Sequence, residues 1–237
     1  MKKELIFLLF FYSSKLFAQF VPIAVWNKAP GGPCSGSPSI GTVCTGGAIY
    51  AGTFDGGSYM ITPGNCTDSS TPTCNGSTDS LNKVWRGTTG SSVDISGVEN
   101  VSLDIFASSS SFRGDVNTPA IAADASISSD SAADYCNDMD FGGFTDWALP
   151  SKSELAYIYC KANVSGGSHN SSFPDEDANC ASQGGKTSMI PGFSASSYWA
   201  STEMNATFAW NQNFSNGDQG GRDKSSATRR VRCIRRY

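Results

Sequence analysis

The amino-acid sequence predicts an α+β domain, because strand patterns occur in two separate regions with helix patterns between them. The first strand region lies near residue 50, two helix patterns follow between residues 131 and 160, and strand patterns return after residue 196. A long Gly/Ser/Asn-rich loop separates the helices from the later strands. Strands joined by short turns pair antiparallel, so we expect an antiparallel sheet with two helices and a long loop region.

The first strand pair is predicted in GAIYAGTFDGGSYMITPGNC, residues 47–66, where apolar and small residues alternate. Asp55-Gly56-Gly57 interrupts this alternation with residues that favour a tight turn, which predicts a hairpin. The segment from Ala107 to Ser129 is rich in serine and alanine without a clear period, and it predicts loops.

Two helices are predicted in the middle of the chain. The first runs from about Ser131 to Met139, with apolar residues spaced as on one helix face. The second begins at Ser151, which forms an S-x-x-E capping-box pattern with Glu154. Its apolar face consists of Leu155, Ile158 and Tyr159.

Three strand patterns follow, in SSYWASTE, ATFAWNQNF and ATRRVRCIRRY, with Asn216-Gly217 marking a turn between the last two. Trp147, Tyr198 and Trp199 are expected in the core, because large aromatic side chains gain most from burial. In the middle strand one face is aromatic, and the opposite face is Ala209, Asn211 and Asn213. We therefore expect these two asparagines on a polar face.

The amino terminus predicts export. Lys2 and Lys3 precede an apolar run and a small residue, Ala18, which is the pattern of a secretory signal peptide at residues 1–18. A Pro/Gly/Ser-rich lead follows at residues 19–41, and the domain is expected at residues 42–237. The expected location is the periplasm, the cell surface or the medium, and no later stretch predicts a transmembrane helix.

The cysteine content agrees with export. An even set of eight cysteines in an exported chain predicts disulfides. The pairs Cys34–Cys44 and Cys66–Cys74 are the economical local choice, although the sequence leaves their connectivity open. Neither a CxxC pair nor a second histidine accompanies His169, so we expect no metal, no cofactor and no catalytic triad, and hence no enzyme.

Charge is distributed unevenly in a chain whose formal net charge is -4. Residues 222–237 contain seven basic residues opposed by Asp223 alone. In the last strand Val231 and Cys233 alternate with Arg230 and Arg232, so the two-residue period predicts that Arg230, Arg232 and Arg236 point away from the core. Arg229 and Arg235 flank the core row toward its ends.

Several segments together resemble one bacterial family. GGFTDWALPSKSELAYIY, YWASTE, AWNQNFSNG and RRVRCIRR occur in the order found in the DUF1566 domain, also called the Lcl C-terminal domain. The resemblance covers about residues 42–237. Ala148 departs from it, since the family commonly has arginine there, and an ion pair of that arginine is then missing.

This resemblance implies a C-type lectin-like fold. It also implies a disulfide from the first helix to the last strand, Cys136–Cys233, and leaves Cys160–Cys180 to fasten the long loop. The family further implies a surface adhesin that binds glycans, including sulfated polyanions, and that tends to form homotrimers. We expect no nucleic-acid partner.

The predicted ligand-binding residues are the polar and basic side chains of the last two strands, and an ordinary solvated face is the open alternative. The predicted set is Asn211, Asn213, Asn216, Asp218, Arg222, Lys224, Arg230, Arg232 and Arg236.

Two other functions remain open at this point. Lectin-like folds also serve as receptor-binding proteins that retroelements diversify at asparagine codons, and NATFAWNQNFSNG is compatible with this. A structural tip of a surface fibre is the other function. Calcium is not expected, since Asp175, Glu176 and Asp177 are adjacent carboxylates without further ligands of the kind that calcium-binding lectins carry.

Overall fold

A computed structural model describes residues 34–67, 69–86, 93–101, 113–124, 130–165, 180–225 and 228–237. These residues fall within one compact unit, Gly31–Tyr237. The expected signal peptide at residues 1–18 and the first part of the lead, residues 19–33, lie outside the described residues. The last part of the lead is attached to the domain, because Gly41 N–H donates to the Tyr50 carbonyl at 2.8 Å.

The described residues form three α-helices and a short 3-10 helix. They are α1 Gly114–Ala122, α2 Ala132–Asn137, α3 Lys152–Lys161 and the 3-10 helix Cys180–Gln183. The two predicted helices are α2 and α3, and the predicted capping box is present at the start of α3.

Helix α1 corrects the prediction of loops between residues 107 and 129. Pro119 lies inside this helix, and its sequence shows little amphipathic pattern, so local signals argued against a helix. Packing stabilises it instead, because Asn117, Thr118 and Ile121 are buried.

Ten β-strands lie in the described parts of the chain. They are β1 Ile49–Phe54, β2 Gly57–Ile61, β3 Asn82–Val84, β4 Ala162–Ser165, β5 Ile190–Ser194, β6 Ser197–Glu203, β7 Phe208–Asn213, β8 Gln219–Asp223, β9 Thr228–Arg230 and β10 Ile234–Arg236. They form sheets of order β1-β2-β10 and β3-β9-β6-β7-β8, and a parallel pair β4-β5. The predicted hairpin is β1-β2, and the architecture is α+β, with mostly antiparallel sheets.

The C-terminal region differs from the prediction of one last strand beside β7. Strand β8 takes the place beside β7, and the terminal segment divides into β9 in the five-stranded sheet and β10 in the three-stranded sheet. The chain passes between the two sheets at Val231–Cys233. A single strand period therefore cannot describe the whole segment.

The five-stranded sheet is buried on both faces at its centre. Tyr198 and Trp210 pack in one apolar cluster with α3, whereas Trp199 and Ala209 pack in a second cluster with α2. Trp147 belongs to the second cluster, so the predicted core aromatic residues are confirmed. The face that was expected to be polar, with Asn211 and Asn213, is therefore partly core.

Four disulfides join the eight cysteines. They are Cys34–Cys44, Cys66–Cys74, Cys136–Cys233 and Cys160–Cys180. All four predicted pairs are present. The Cys136–Cys233 bond spans a sequence separation of 97 and stabilises the fold by about 4 to 5 kcal/mol in the chain-entropy account. It fastens α2 to the segment between the two main sheets.

Candidate ligand-binding surface

A polar surface lies where the Trp199 face of the five-stranded sheet reaches solvent. Cross-strand partners point to the same side of a sheet, and the register aligns Trp199 with Asn211 and Asn211 with Gly220. In the next row Ala209 is paired with Arg222. We call Asn213, Arg222 and Arg229 the terminal-sheet surface; the buried Trp199 and Asn211 lie on the strands between the two arginines.

Arg229 joins this surface from β9. Its guanidinium carbon lies 5.9 Å from the centroid of the Trp199 ring, and the Trp199 indole N–H donates to the Lys83 carbonyl at 2.9 Å. One guanidinium nitrogen of Arg229 donates to the Thr228 carbonyl at 2.8 Å, while its Nε is buried without a hydrogen-bond partner. The side chain is thus held on an aromatic plane with donor capacity unused.

Arg222 enters the same surface from β8. Its side chain is exposed, and its Nη1 donates to the Gly221 carbonyl at 2.8 Å. Nη1 lies 3.7 Å from the position that a Cβ atom would take at Gly220, so the guanidinium lies over that glycine. Burial lowers the pKa of Arg229, and the positive charge of Arg222 lowers it further.

The acidic residues near this pair have other partners. Lys83, which is paired with Arg229 across the strands, forms an ion pair with Asp130. Asp218 accepts from Asn216, and Asp223 accepts from Ser225. Across the described ranges neither Arg222 nor Arg229 forms an ion pair.

The predicted asparagines mainly hold the β7-β8 hairpin. Asn211 is buried and donates to the Gly220 carbonyl, which corrects its prediction as a ligand contact on a polar face. Asn213 is half-buried, and its Oδ1 accepts from the Ser215 N–H at 2.9 Å. Asn216 donates to Asp218 in the turn. Satisfied amides of this kind fix the loop shape rather than offer donors to a ligand.

Lys224 is not a surface contact as predicted. It is 2% exposed, forms a buried ion pair with Glu203 and lies 5.0 Å from the centroid of the Trp85 ring. Burial lowers the pKa of Lys224 and raises the pKa of Glu203, while their mutual attraction opposes both shifts. Lys224 directly follows β8, and its side chain is enclosed beside Trp85, which belongs to the second apolar cluster.

Arg232 is the second correction. It was predicted to point away from the core, but it is 3% exposed and forms a buried ion pair with Asp79. Its guanidinium carbon lies 4.3 Å from the centroid of the Phe193 ring. Arg232 does point away from Val231 and Cys233, but that side of the segment is covered as well, by the apolar cluster that contains Phe193.

Arg230 and Arg236 lie apart from the terminal-sheet surface. Arg230 follows Arg229 in β9, so its side chain lies on the opposite face of the sheet, where it donates to the Ser80 carbonyl. Arg236 is in β10 of the three-stranded sheet, where it donates to the Asp55 carbonyl at 2.8 Å. The structure therefore does not bring the nine predicted residues into one site.

Arg229 is the residue that sequence reasoning missed. It shares the strand parity of the buried Val231 and was placed at the margin of the core row. Strand parity places Arg229 on the same face as Val231, and at the end of β9 this face lies beside Trp199. The position beside Trp199 follows only from the pairing of β9 with β6.

His169 and the acidic triplet Asp175, Glu176 and Asp177 lie outside the described residues. Among the residues that are described, no group of three or more histidine, cysteine or acidic side chains is arranged to hold a metal ion. Within those same residues no helix has the length and apolar character needed to cross a membrane.

The fold and this surface define a disulfide-bonded α+β domain whose terminal sheet carries two arginines, Arg222 and Arg229, that form no ion pair within the described ranges. The chain belongs to the Lcl C-terminal domain family, whose model matches residues 79–235. This confirms the resemblance seen in the sequence motifs. Neither a curated protein nor a solved structure matches the chain.

The family match begins at Asp79, the residue that pairs with Arg232. Strands β1 and β2 precede the match, yet β2 pairs with β10 through Ile61 and Ile234. The amino-terminal hairpin is thus part of the same folded unit as the matched region.

Proposed function

We propose that the chain is an exported recognition domain of C-type lectin-like fold that binds an anionic glycan on its terminal-sheet surface, and that it is not an enzyme. The observation that carries this proposal is that two arginines of the terminal-sheet surface, Arg222 on β8 and Arg229 on β9, form no ion pair within the described ranges. Two uncompensated cations on a rigid sheet favour a ligand that brings negative charge.

The framework beneath the two arginines supports a recognition role. Trp199 is 1% exposed and fixed by its indole hydrogen bond, and the sheet around it is packed on both faces. The Cys136–Cys233 bond holds the chain just beyond β9. A binding site on such a rigid support loses little conformational entropy when its ligand binds.

The disulfides support the proposed location. Four bonds between eight cysteines persist in an oxidising environment, such as the periplasm, the cell surface or the medium. This agrees with the signal-peptide pattern at residues 1–18. A homotrimer, as the family resemblance implies, would present three copies of the surface and raise the avidity for a polymer.

Binding to immobilised heparin at two salt concentrations tests this function, with a neutral dextran matrix as the control. We expect retention on heparin at low salt and a steep loss on adding salt, because bound cations are released from a polyanion on association. A glycan array with the oxidised protein would extend the test to other anionic saccharides. Equal behaviour on heparin and dextran would exclude the anionic-glycan function.

A protein receptor is the second candidate, and the polar β7-β8 turn favours it. Asn213 and Asn216 are partly exposed there, beside the exposed Asp218. In retroelement-diversified proteins such positions vary between gene copies. A near-copy of the segment encoding NATFAWNQNFSNG, next to a reverse-transcriptase gene, would support this candidate over the glycan-binding one.

A further inference from the structure

We propose that residues 93–101 form a strap that closes over Glu203 and Lys224 while the Glu99 side chain is protonated, and that opens when Glu99 ionises. Glu203 is the last residue of β6, and Lys224 directly follows β8. This pH-sensitive strap is inferred from the contacts of the described residues and does not depend on the function proposed above.

The strap is fastened mainly to Glu203. The Glu203 N–H donates to the Glu99 carbonyl at 2.8 Å, and the Val101 N–H donates to the Glu203 carbonyl at 2.9 Å. The Ile95 N–H donates to both oxygens of the Glu203 carboxylate, at 3.1 and 3.3 Å. The Trp210 indole N–H donates to the Val101 carbonyl at 2.8 Å. Residues 93–101 contain no helix or strand of their own, so these contacts hold the strap in place.

The closed strap covers part of the core and an ion pair. Ile95 is buried and belongs to the second apolar cluster. The Val93 carbonyl accepts from Lys224 Nζ at 3.4 Å, beside the ion pair of Lys224 with Glu203. Opening the strap therefore exposes apolar surface and this ion pair to water.

The Glu99 side chain is the poorly satisfied part of the strap. The backbone of Glu99 is bonded on both sides, since its N–H donates to Asn117 Oδ1 at 3.4 Å and its carbonyl accepts from Glu203. Within the described ranges, its carboxyl group accepts only from the Asn117 amide, at 3.4 Å from Oε2, and Oε1 is buried without a hydrogen-bond partner. An ionised carboxylate lacks here the donors that water would supply.

The charged groups around Glu99 offer its ionised form no compensation. From α3 the negative charge of Glu154 acts on Glu99. Glu99 forms no ion pair with any residue that the structure describes. The charged groups of α1, of β6 and of the strap itself already have partners, namely Arg113 with Asp115, Glu203 with Lys224, and Asp94 with the Asn100 amide.

The equilibrium between the closed and the open strap should therefore depend on pH. In the open strap Glu99 is solvated, with an ordinary pKa of about 4.3. In the closed strap burial raises its pKa to about 7, the Asn117 amide opposes the shift, and Glu154 adds to it. Closure is thus favoured most below about pH 4.3, and this advantage is lost as the pH rises through about 7. Because the carboxyl group is partly solvated, we expect a total change of at least about tenfold, less than the pKa shift alone implies.

Amide hydrogen exchange of the oxidised wild-type protein, followed by NMR at pH 4 and pH 8, tests the strap. Protection factors are taken relative to an unstructured peptide at the same pH. Those of the Ile95 and Val101 amides and of the Trp210 indole should fall at least about tenfold more than that of the Leu155 amide in α3, which donates to the Ser151 carbonyl. An equal fall at Leu155 would mean that the whole fold loosens, and an unchanged ratio would mean that the strap stays closed. Either result would overturn the proposal.

The role of Glu99 is tested by substitution. Glu99→Gln nearly keeps the size of the side chain and cannot ionise, so its strap should be as well protected at pH 8 as at pH 4, relative to Leu155. The matched control Asp94→Asn removes an exposed carboxylate from the same segment and should keep the wild-type pH dependence. A dependence that persists in Glu99→Gln, or that disappears equally in Asp94→Asn, would exclude Glu99 as the titrating group.

A titration of the wild type checks the same assignment without any substitution. The NMR shifts of the Glu99 carboxyl carbon and of the Ile95 amide should change with one common midpoint, because ionisation and opening are linked. Midpoints that differ by more than about one pH unit would contradict this linkage.

Discussion

Arg232 and Asp79 are joined by a buried ion pair across 153 residues of sequence, with Arg232 Nε 3.1 Å from Asp79 Oδ2. The Tyr198 hydroxyl donates to the same Oδ2 at 2.8 Å, and a second Arg232 nitrogen donates to the Thr62 carbonyl at 2.6 Å. An arginine that the strand period placed outside thus connects the C-terminal segment to the centre of the fold.

Removing one partner of this pair should destabilise the protein severely. Arg232→Met leaves Asp79 buried without its cation, and we expect a loss of about 3 to 5 kcal/mol in the free energy of unfolding, measured by urea denaturation. Arg236→Ser, a partly exposed arginine in β10, should change it by at most about 0.5 kcal/mol. Asp79→Leu/Arg232→Met should cost less than the sum of the single variants, and additive losses would contradict the pairing.

Substitutions at Lys224 and at Arg222 should have opposite effects, with the first lowering the free energy of unfolding and the second lowering the affinity for the ligand. Lys224→Met leaves Glu203 buried without its ion-pair partner and should cost about 3 kcal/mol of unfolding free energy, with heparin affinity unchanged while the protein stays folded. Arg222→Ser should show the reverse, since its side chain is exposed. Urea denaturation and heparin affinity, measured on both variants, check this. Weaker heparin binding by folded Lys224→Met would place Lys224 at the ligand after all.

Much of the local structure could be predicted from the sequence, whereas pairing across the fold could not. The Ser151–Glu154 capping box depends on residues three apart, and it is present as predicted. Glu154 also accepts from the Tyr59 hydroxyl at 3.0 Å and from the Gly114 N–H at 2.8 Å. Those contacts link it to β2 and α1, which no local pattern around Glu154 reveals.

The candidate site was predicted only in part for the same reason. Strand parity correctly separated Arg229 from Arg230, but solvent exposure depends on what covers each face. Arg232 lies under Phe193, and Arg229 lies at the margin of the Trp199 face. Exposure is thus a property of the packed sheets, so the residues that reach solvent could be named only after the sheet order was known.

Glu99 should make stability depend on pH. Burial raises its pKa to about 7, the Asn117 amide donates to its Oε2 at 3.4 Å and opposes the shift, and the nearby Glu154 charge adds to it. The folded state therefore holds this proton more tightly than the unfolded state, whose pKa is about 4.3. The stability from this proton is fully present below about pH 4.3 and is lost as the pH rises through about 7.

Glu99→Gln removes this dependence. At pH 8 the variant should be more stable than the wild type by about 1 kcal/mol, less than the pKa shift alone implies because the carboxylate is partly solvated. At pH 4, below the unfolded-state pKa, the two proteins should be nearly equal. Urea denaturation at both pH values measures the difference, and a constant offset between the proteins would contradict the assignment to Glu99.

The disulfides should contribute unequally to the free energy of unfolding. Replacing Cys136 and Cys233 by serine should cost about 4 to 5 kcal/mol, because the bond closes a long loop, with a separation of 97. Replacing Cys34 and Cys44 should cost about 3 kcal/mol, since their separation is 10. Thermal unfolding of both double variants under oxidising conditions provides the comparison. Equal losses would mean that loop length does not determine the contribution.

The Cys136–Cys233 bond also limits how far the protein can be stretched. When tension acts between points outside this interval, the 97-residue separation cannot lengthen while the bond is intact. At about 3.4 Å per extended residue, roughly 330 Å of contour length is withheld. Single-molecule pulling should show this length only after reduction. A domain that attaches to a surface under flow would thereby keep its terminal sheet close to its helices, even after the rest of the fold has yielded.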